Sequence, residues 1–476
     1  MAPPIVGRVA RKEMLQFVRD GRARWAGIIV AVLLGVALLS GWHHVSAAAA
    51  EQAVAQAATR TSWLKQPPKN PHSAAHYGIY AFKPQSWLGA VDSGVQPYVG
   101  VAALLEAHVQ NEYRYRPAAD RSAAQRFGDF TAAMVMQVLV PLMIVLLAFG
   151  TIVSEREDGT WRQLQATGVR LRSVLIGKAL GVSAGVAAIC IPASLVAALI
   201  LTLWAPPGVT GADPGRFIAL TLIYVLWCAV WLGATLLVSS VARSSRTALV
   251  TLLAVWMVST LAAPRLAADV AAWRHRTPTQ AEFQEALNLD LSDATTRNAR
   301  LQAKRQAVLA QYGVSTVEEL PINFSGVSLQ EGEEHANEVF DKHFGGLYDT
   351  FDRQNALVRR AGWLAPALAL RSSSMGLSGT DWFQHRHFAT AAETYRRDLQ
   401  RLLNHDVAIN QKPGQTYLAD TSFWANVPDF TYVAPPTADV LGRQAGSIAV
   451  LAVWAFILFA VAAVVIDRRS ATAGVA

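Results

Sequence analysis

Apolar positions gather into six long runs instead of recurring as amphipathic stripes. The runs extend from about Trp25 to Trp42, Thr131 to Val153, Val174 to Trp204, Phe217 to Val241, Thr247 to Ala263 and Ser447 to Ile466. An uncharged apolar run of about 18 residues or more can cross a bilayer as a helix. The pattern therefore predicts an all-α polytopic membrane protein with six transmembrane helices. The third run is long enough to tilt, or to kink at Pro192, whose ring removes a backbone donor.

Between the runs lie a leading segment (1–24), a long insert (43–130), a polar connection (154–173), short links (205–216 and 242–246), a second and larger insert (264–446) and a tail (467–476). The opening segment predicts an amphipathic helix. Val6, Ala10, Met14, Phe17 and Val18 share one face, while Arg8, Arg11, Lys12, Arg19 and Arg22 occupy the other. A basic helix of this kind suits the headgroup region of an anionic leaflet. In the second insert, Phe340, Phe344, Leu347 and Phe351 recur at helical spacing, as do Tyr395, Leu399 and Leu402, which predicts a mainly helical domain with these stripes as its core. The first insert opens on an Ala-rich helix from Ala47 to Ala58 and then shows no clean period, so it reads as irregular with short helices.

Composition agrees with the pattern: 52% of residues are hydrophobic and 16% charged, against roughly 25% charged in an ordinary soluble domain. The net charge of +8 raises nucleic acid as a partner, but the basic residues flank the apolar runs, and membrane orientation explains them without nucleic acid. Arg8, Arg11, Lys12, Arg19, Arg22 and Arg24 precede the first span. Arg156, Arg162, Arg170, Arg172 and Lys178 follow the second, Arg243 and Arg246 link the fourth and fifth, and Arg468 and Arg469 end the chain. With six spans these segments share one side, which predicts an inner-membrane protein with both termini cytoplasmic and both inserts extracytoplasmic, or periplasmic. Ser46 to Ala50 (SAAAA) has the look of a signal-peptidase site, but 24 residues precede the apolar run, too many for a signal-peptide n-region, so the first span reads as retained.

After the second span, Gly159 can stop a helix, Thr160 can cap a new one and Gly168 can end it, leaving about two helical turns across the cytoplasmic mouth. The start Arg11-Lys12-Glu13 with Arg19-Asp20-Gly21-Arg22, the six spans, and the E-x-x-x-G-T-x-x-x-L element of Glu155, Gly159, Thr160 and Leu164 together resemble the permease subunits of ABC-2-type transporters. The inserts look like those of a large-insert subgroup, through Glu319-Leu320-Pro321-Ile322-Asn323-Phe324, Gly379-Thr380-Asp381, His385 to Phe388 and Glu393 to Arg396. The resemblance implies that the opening helix, with Arg11, Lys12, Glu13 and Arg19, lies at the membrane surface. It also implies that Glu155, Glu157, Gly159, Thr160 and Leu164 belong to a coupling element docking on a separate ABC ATPase subunit, and that two permeases, alike or different, pair with two ATPases in an exporter. ATP and Mg would then be held by the partner. The chain itself reads as non-enzymatic with no cofactor of its own. Gly177-Lys178 follows Gly168 at the wrong spacing and lacks the next Ser or Thr of a phosphate loop.

Other chemistry is thin. Glu334, His335, His343, His385 and His387 show no metalloprotease spacing, so no metal site is expected. Ser372, Ser373 and Ser374 have no nucleophile elbow and read as a loop. Cys190 and Cys228 fall in apolar runs and read as packing residues. Ionisable side chains are almost absent from the spans, which argues against ion coupling, and Gln137 reads as an interhelical hydrogen-bonding residue. Gly27, Ala31 and Gly35 form a small-residue face suited to a permease–permease interface. The size of the inserts leaves a second reading, a binding or mechanotransmission module acting on an extracytoplasmic protein without solute transport.

Overall fold

The computed structural model describes residues 5–114, 116, 130–204, 209–210, 213–412 and 415–473, with the side chains of 22, 23, 201, 202 and 469–473 left out. The side chains of Arg22 and Arg469, half of the 205–216 link and the 117–129 end of the first insert are therefore not described.

Helix α1 (Ile5–Arg19) is followed directly by α2 (Gly21–Leu64), a single helix of 44 residues. At 1.5 Å per residue α2 is about 66 Å long, roughly twice a hydrocarbon core. The Ala-rich stretch expected as a separate helix is thus the upper half of the first span, because nothing between Trp42 and Leu64 breaks the helix. Next come α3 (Pro71–Tyr77), capped by Asn70 with Pro71 in its first turn, β1 (Ile79–Phe82), the short α4 (Gln96–Val99), β2 (Ala102–Glu106) and β3 (Val109–Gln110). The strands form an antiparallel sheet in the order β1-β2-β3, with Tyr80 opposite Leu104 and Leu105 opposite Gln110. This sheet replaces the irregular structure expected there. Its strands are too short to show a period of two in the sequence.

The second span begins with α5 (Ala132–Met134), passes through a π-helical turn at Val135–Leu139 and continues as α6 (Val140–Ala148). After a break come α7 (Val153–Glu157) and α8 (Thr160–Ala166), then the span helices α9 (Leu171–Leu203), which runs through Pro192, and α10 (Pro214–Val241). The fifth span is α11 (Ser245–Met257), a π-helical turn at Val258–Ala262 and α12 (Ala263–Arg274). The second insert adds α13 (Gln280–Leu291), α14 (Ala294–Tyr312), α15 (Phe324–Ala361), α16 (Pro366–Ser378), α17 (Trp382–Asn410) and α18 (Thr421–Asn426), and α19 (Thr437–Ala473) is the last span. Among the described residues, six helical stretches are long and apolar enough to cross a membrane. The protein is an all-α polytopic membrane protein carrying one small sheet.

Helix α10 sits at the centre of the spans. Its Trp227, Trp231 and Leu236 are buried with Ile144 and Val145 of α6 and with Leu451 and Ala462 of α19. Outward positions are equally apolar, including Ile28 and Val32 of α2, Leu195 of α9, Ile218 of α10 and Phe456 of α19. Apolar side chains on both faces suit a bundle whose solvent is lipid.

In the inserts, Phe340 and Phe344 pack on Phe283 and Leu287. On α17 the expected Tyr395 and Leu399 face the core, but the stripe continues through Leu403 and Val407, and Leu402 is exposed. The three serines are helical, since α16 continues to the left-handed Gly379. Ser373 satisfies its hydroxyl on the Ala369 carbonyl at 2.8 Å. Ser374 donates to the buried Asp92 and lies 2.8 Å from the Tyr224 hydroxyl, which accepts from Gln137 at 3.4 Å. Burial holds the Asp92 carboxyl above its ordinary range against the opposing pull of Ser374, the Gly94 N–H and Arg371. A polar chain thus joins the second span, the fourth span and both inserts.

Helix α1 lies in a groove on α9 made by Gly177, Gly181 and Gly185, spaced so that they share one face. A Cβ on Gly181 would come within 2.5 Å of Glu13 Cβ and 2.7 Å of the Ala10 carbonyl oxygen, and one on Gly185 within 2.8 Å of the Phe17 ring. Gly181→Leu should therefore lift α1, costing about 1–3 kcal/mol through overpacking. The expected result is a lower Tm in detergent and new tryptic cleavage at Arg11 or Lys12. Unchanged Tm and cleavage would show that α1 does not need the groove.

Candidate functional site

The groove aligns charged residues from three helices. Lys178, one residue after Gly177 and 1% exposed, is held between two carboxylates. Its Nζ lies 2.8 Å from Glu13 Oε1 on α1 and 2.8 Å from Glu155 Oε1 on α7. Lys12 Nζ reaches the same Glu155 oxygen at 2.9 Å. Two ammonium groups and two carboxylates thus alternate across α1, α7 and α9, and their charges balance. For Lys12, burial works to lower the pKa, but the hydrogen bond and charge of Glu155, with Glu13 behind, raise it above the ordinary lysine value.

The break between α6 and α7 is stitched just as tightly. Ile152 and Val153 donate their N–H groups to Ser239 Oγ at 3.1 and 3.2 Å, and Arg156 donates to the carbonyls of Ser239 and Ala242. Glu157 accepts from the Ser245 N–H at 2.9 Å and from its hydroxyl, capping the start of α11. Carboxylates are favoured at such a helix N-terminus. Gly159, at φ 76°, reverses the chain into α8, a conformation that favours glycine. Thr160 does not cap α8: Gly159 holds that position, and the Thr160 hydroxyl turns back to donate to the Glu155 carbonyl at 3.1 Å.

Helix α8 is anchored by the buried Trp161 and the half-buried Leu164, both packed on the core of the spans. Asp158, Arg162, Gln163, Ala166 and Thr167 face outward. Of the five residues expected to form the coupling element, Glu155 and Leu164 face inward, Glu157 is exposed but engaged with α11, and Gly159 and Thr160 lie at the exposed bend. On α1, Glu13 faces α9, while Arg11, Lys12 and Arg19 are exposed beside Met14 and Val18. Helix α8 thus offers a small polar face, and the buried ion network ties the helix before it to α1 and α9.

Over residues 8–321, well over half of the chain, the sequence matches the family model described as ABC-2 family transporter protein. The chain belongs to the ABC-2 transporter family. Residues 278–433 match a second model, a domain of unknown function, DUF3526, which covers α13 to α18 with their bordering segments. No curated protein matches the chain. Family membership makes this ABC-2 protein a membrane component of an ABC transporter.

Sequence reasoning overlooked Lys178 as a site residue. Its signal was available: a lysine inside an apolar run, next to a Gly-x-x-x-Gly-x-x-x-Gly stripe, is by default a paired and functional residue. The polar residues considered for catalysis are spread among separate partners. His343 pairs with Asp290 at 2.7 Å, His387 with the Tyr432 hydroxyl at 3.0 Å, and Glu334 accepts from Gln330 at 3.2 Å. His385, buried against Tyr113, is pushed down to about 3 by burial, with Lys83 and Arg116 adding to the effect.

Removing one partner from a buried ion network leaves an uncompensated charge, at a cost of about 3–5 kcal/mol, whereas replacing the whole set by neutral groups is often close to neutral. Lys178→Met should therefore lower the Tm of this ABC-2 permease sharply. Adding Glu13→Gln and Glu155→Gln should recover most of the loss. If single and triple variants unfold at the same temperature, the ammonium is not what holds α1, α7 and α9 together.

Proposed function

We propose that this chain is the permease subunit of an ATP-driven exporter. A separate ATPase docks on α8, and both termini lie in the cytoplasm. The inserts are then periplasmic. The observation that carries the reading is the rigid mount under α8. Force applied to the outward face of Asp158, Arg162, Gln163 and Ala166 reaches α1, α9 and α11 through buried ion pairs and helix caps instead of being lost in a flexible loop. Coupling requires that the ATPase favour one permease conformation over another, and a stiff connection is what lets that preference reach the spans. The basic residues of α1 and of the links between spans support this orientation.

The docking face replaces Glu155 with exposed side chains, so it can be tested without touching the ion network. Arg162→Glu combined with Ala166→Asp should leave insertion and Tm unchanged. The same change should reduce both copurification of the ATPase and permease-stimulated ATP hydrolysis by at least about tenfold, the size of roughly 1.4 kcal/mol in binding. Undiminished copurification would remove α8 as the docking element.

A second copy of the chain is proposed to meet the outer face of α2. Gly27 does not serve there, since a Cβ on it would lie 2.9 Å from Ile189 of α9 in the same chain. Ala31 is exposed and nothing approaches Gly35 within 4 Å, so these two carry the dimer proposal. Ala31→Leu with Gly35→Leu should lower dimer recovery in mild detergent without loss of Tm, and a persistent dimer would exclude this face.

The mechanotransmission reading has its own support. Helix α2, the α11–α12 pair and α19 each continue from a span into an insert or its border without leaving helical structure. Tilting a span would therefore reshape the insert domain, which fits work on an extracytoplasmic protein as well as it fits export.

A further inference from the structure

The first insert carries a group of three imidazoles that the transport reading leaves unused. His72 and His76 sit one helical turn apart on α3, and His108 lies in the two-residue turn between β2 and β3. Their ring centroids are 4.9, 5.2 and 5.0 Å apart, and one ring nitrogen from each lies within 4.8 Å of the others. We propose that His72, His76 and His108 form a binding site for a borderline divalent transition-metal ion of the zinc class, with the fourth coordination position open to water.

Three features favour a ligand over mere packing. His108 has φ 62°, the only positive φ outside glycine among the described residues. A positive φ is uncommon outside glycine, and histidine is among the few side chains enriched there, so the turn can hold this ring beside α3. Next, two of the rings are oriented from behind by buried polar side chains. Glu333, 0% exposed, accepts from the His108 backbone N–H at 3.0 Å and holds its Nδ1 at 2.8 Å. Asn404, also 0% exposed, donates its amide to Gln330 at 3.2 Å, which turns its Oδ1 toward His72 Nδ1 at 2.9 Å. An amide oxygen can only accept, so Nδ1 of His72 carries the proton and Nε2 keeps its lone pair. The carboxylate behind His108 sets the same tautomer there. A carboxylate or carbonyl behind each ligating imidazole is the usual outer shell of such sites.

Finally, the position is accessible, since His76 and His108 are exposed. Metal–nitrogen bonds of about 2.0–2.1 Å place tetrahedral ligand atoms roughly 3.3 Å apart, so binding needs the imidazoles to close on one another. Exposed rings can make that movement by rotation. Imidazole donors with no thiolate or carboxylate among them suit zinc, copper or nickel and not magnesium or calcium. The ion would also tie the two inserts together, because the ligands lie on α3 and the β2–β3 turn while Glu333 and Asn404 lie on α15 and α17. Glu333 is in turn paired with the buried Arg396 at 3.4 Å.

The test uses the full chain in detergent, free of any histidine tag, titrated with Zn2+ in competition with a chromogenic chelator. One site per chain is expected, with an accompanying rise in Tm. His76→Ala, at an exposed residue whose described contacts are with the other two rings, should fold normally yet lose at least about tenfold in affinity and the Tm rise. His108→Ala should do the same, and Glu333→Gln should weaken binding by about 10–100-fold. Absence of competitive Zn2+ binding would overturn the proposal. So would unchanged stoichiometry and affinity in a folded His76→Ala chain, since the metal would then sit elsewhere.

Discussion

A lysine ammonium buried at the edge of a membrane bundle is tolerable only if opposite charge meets it within hydrogen-bond distance, and that requirement organises the α1 end of this protein. Lys178 takes one carboxylate from α1 and one from α7. Glu13 could not be brought that close unless α1 lay almost in contact with the α9 backbone. The glycines at 177, 181 and 185 provide that approach. Close packing and charge pairing are therefore one device: without the groove the ions separate, and without the ions a basic surface helix has less reason to stay in the groove.

From this point rigidity passes along the near ends of the spans. Glu155 belongs to the same short helix as Arg156 and Glu157, which bond to the end of α10 and the start of α11. Helix α8 follows one tight glycine turn later. Polar contacts, buried at Glu155 and exposed at Glu157, thus hold this segment to α1, α9, α10 and α11.

At the opposite ends of the spans the contacts are of another kind. Arg216 at the start of α10 donates to Thr437 at 3.2 Å at the start of α19, and Thr437 donates to Asp213 at 2.6 Å. The chain from Gln137 through Tyr224 and Ser374 to Asp92 brings α16 and the Asp92 segment of the first insert onto the bundle. The two inserts, far apart in sequence, share cores: Trp63 at the end of α2 meets Trp424 at 5.8 Å in T-shaped contact, and Phe388 packs with Ala81, Leu105 and Phe430. The second insert also closes a core of its own around Phe283, Phe340 and Phe344, so the shared clusters join the two inserts and do not replace that core.

The sequence by itself determined the membrane class, the six spans, the helical character of the second insert and the short glycine-bounded helix α8. Each is local: a run of apolar residues, a helical period or a glycine states its consequence within a few turns of chain. The sheet in the first insert, the helical state of Ser372 to Ser374, the inward turn of Glu155 and Leu164, and the approach of His72 to His108 were decided by tertiary structure. Strands of two to five residues carry too little pattern, and a serine or a glutamate is compatible with either surface or interior until its partner is known. Lys178 lies between these cases. Its place in an apolar run made it conspicuous, but only the folded chain could supply Glu13 from 165 residues away and so decide that this charge is a structural pin and not a flank of the membrane.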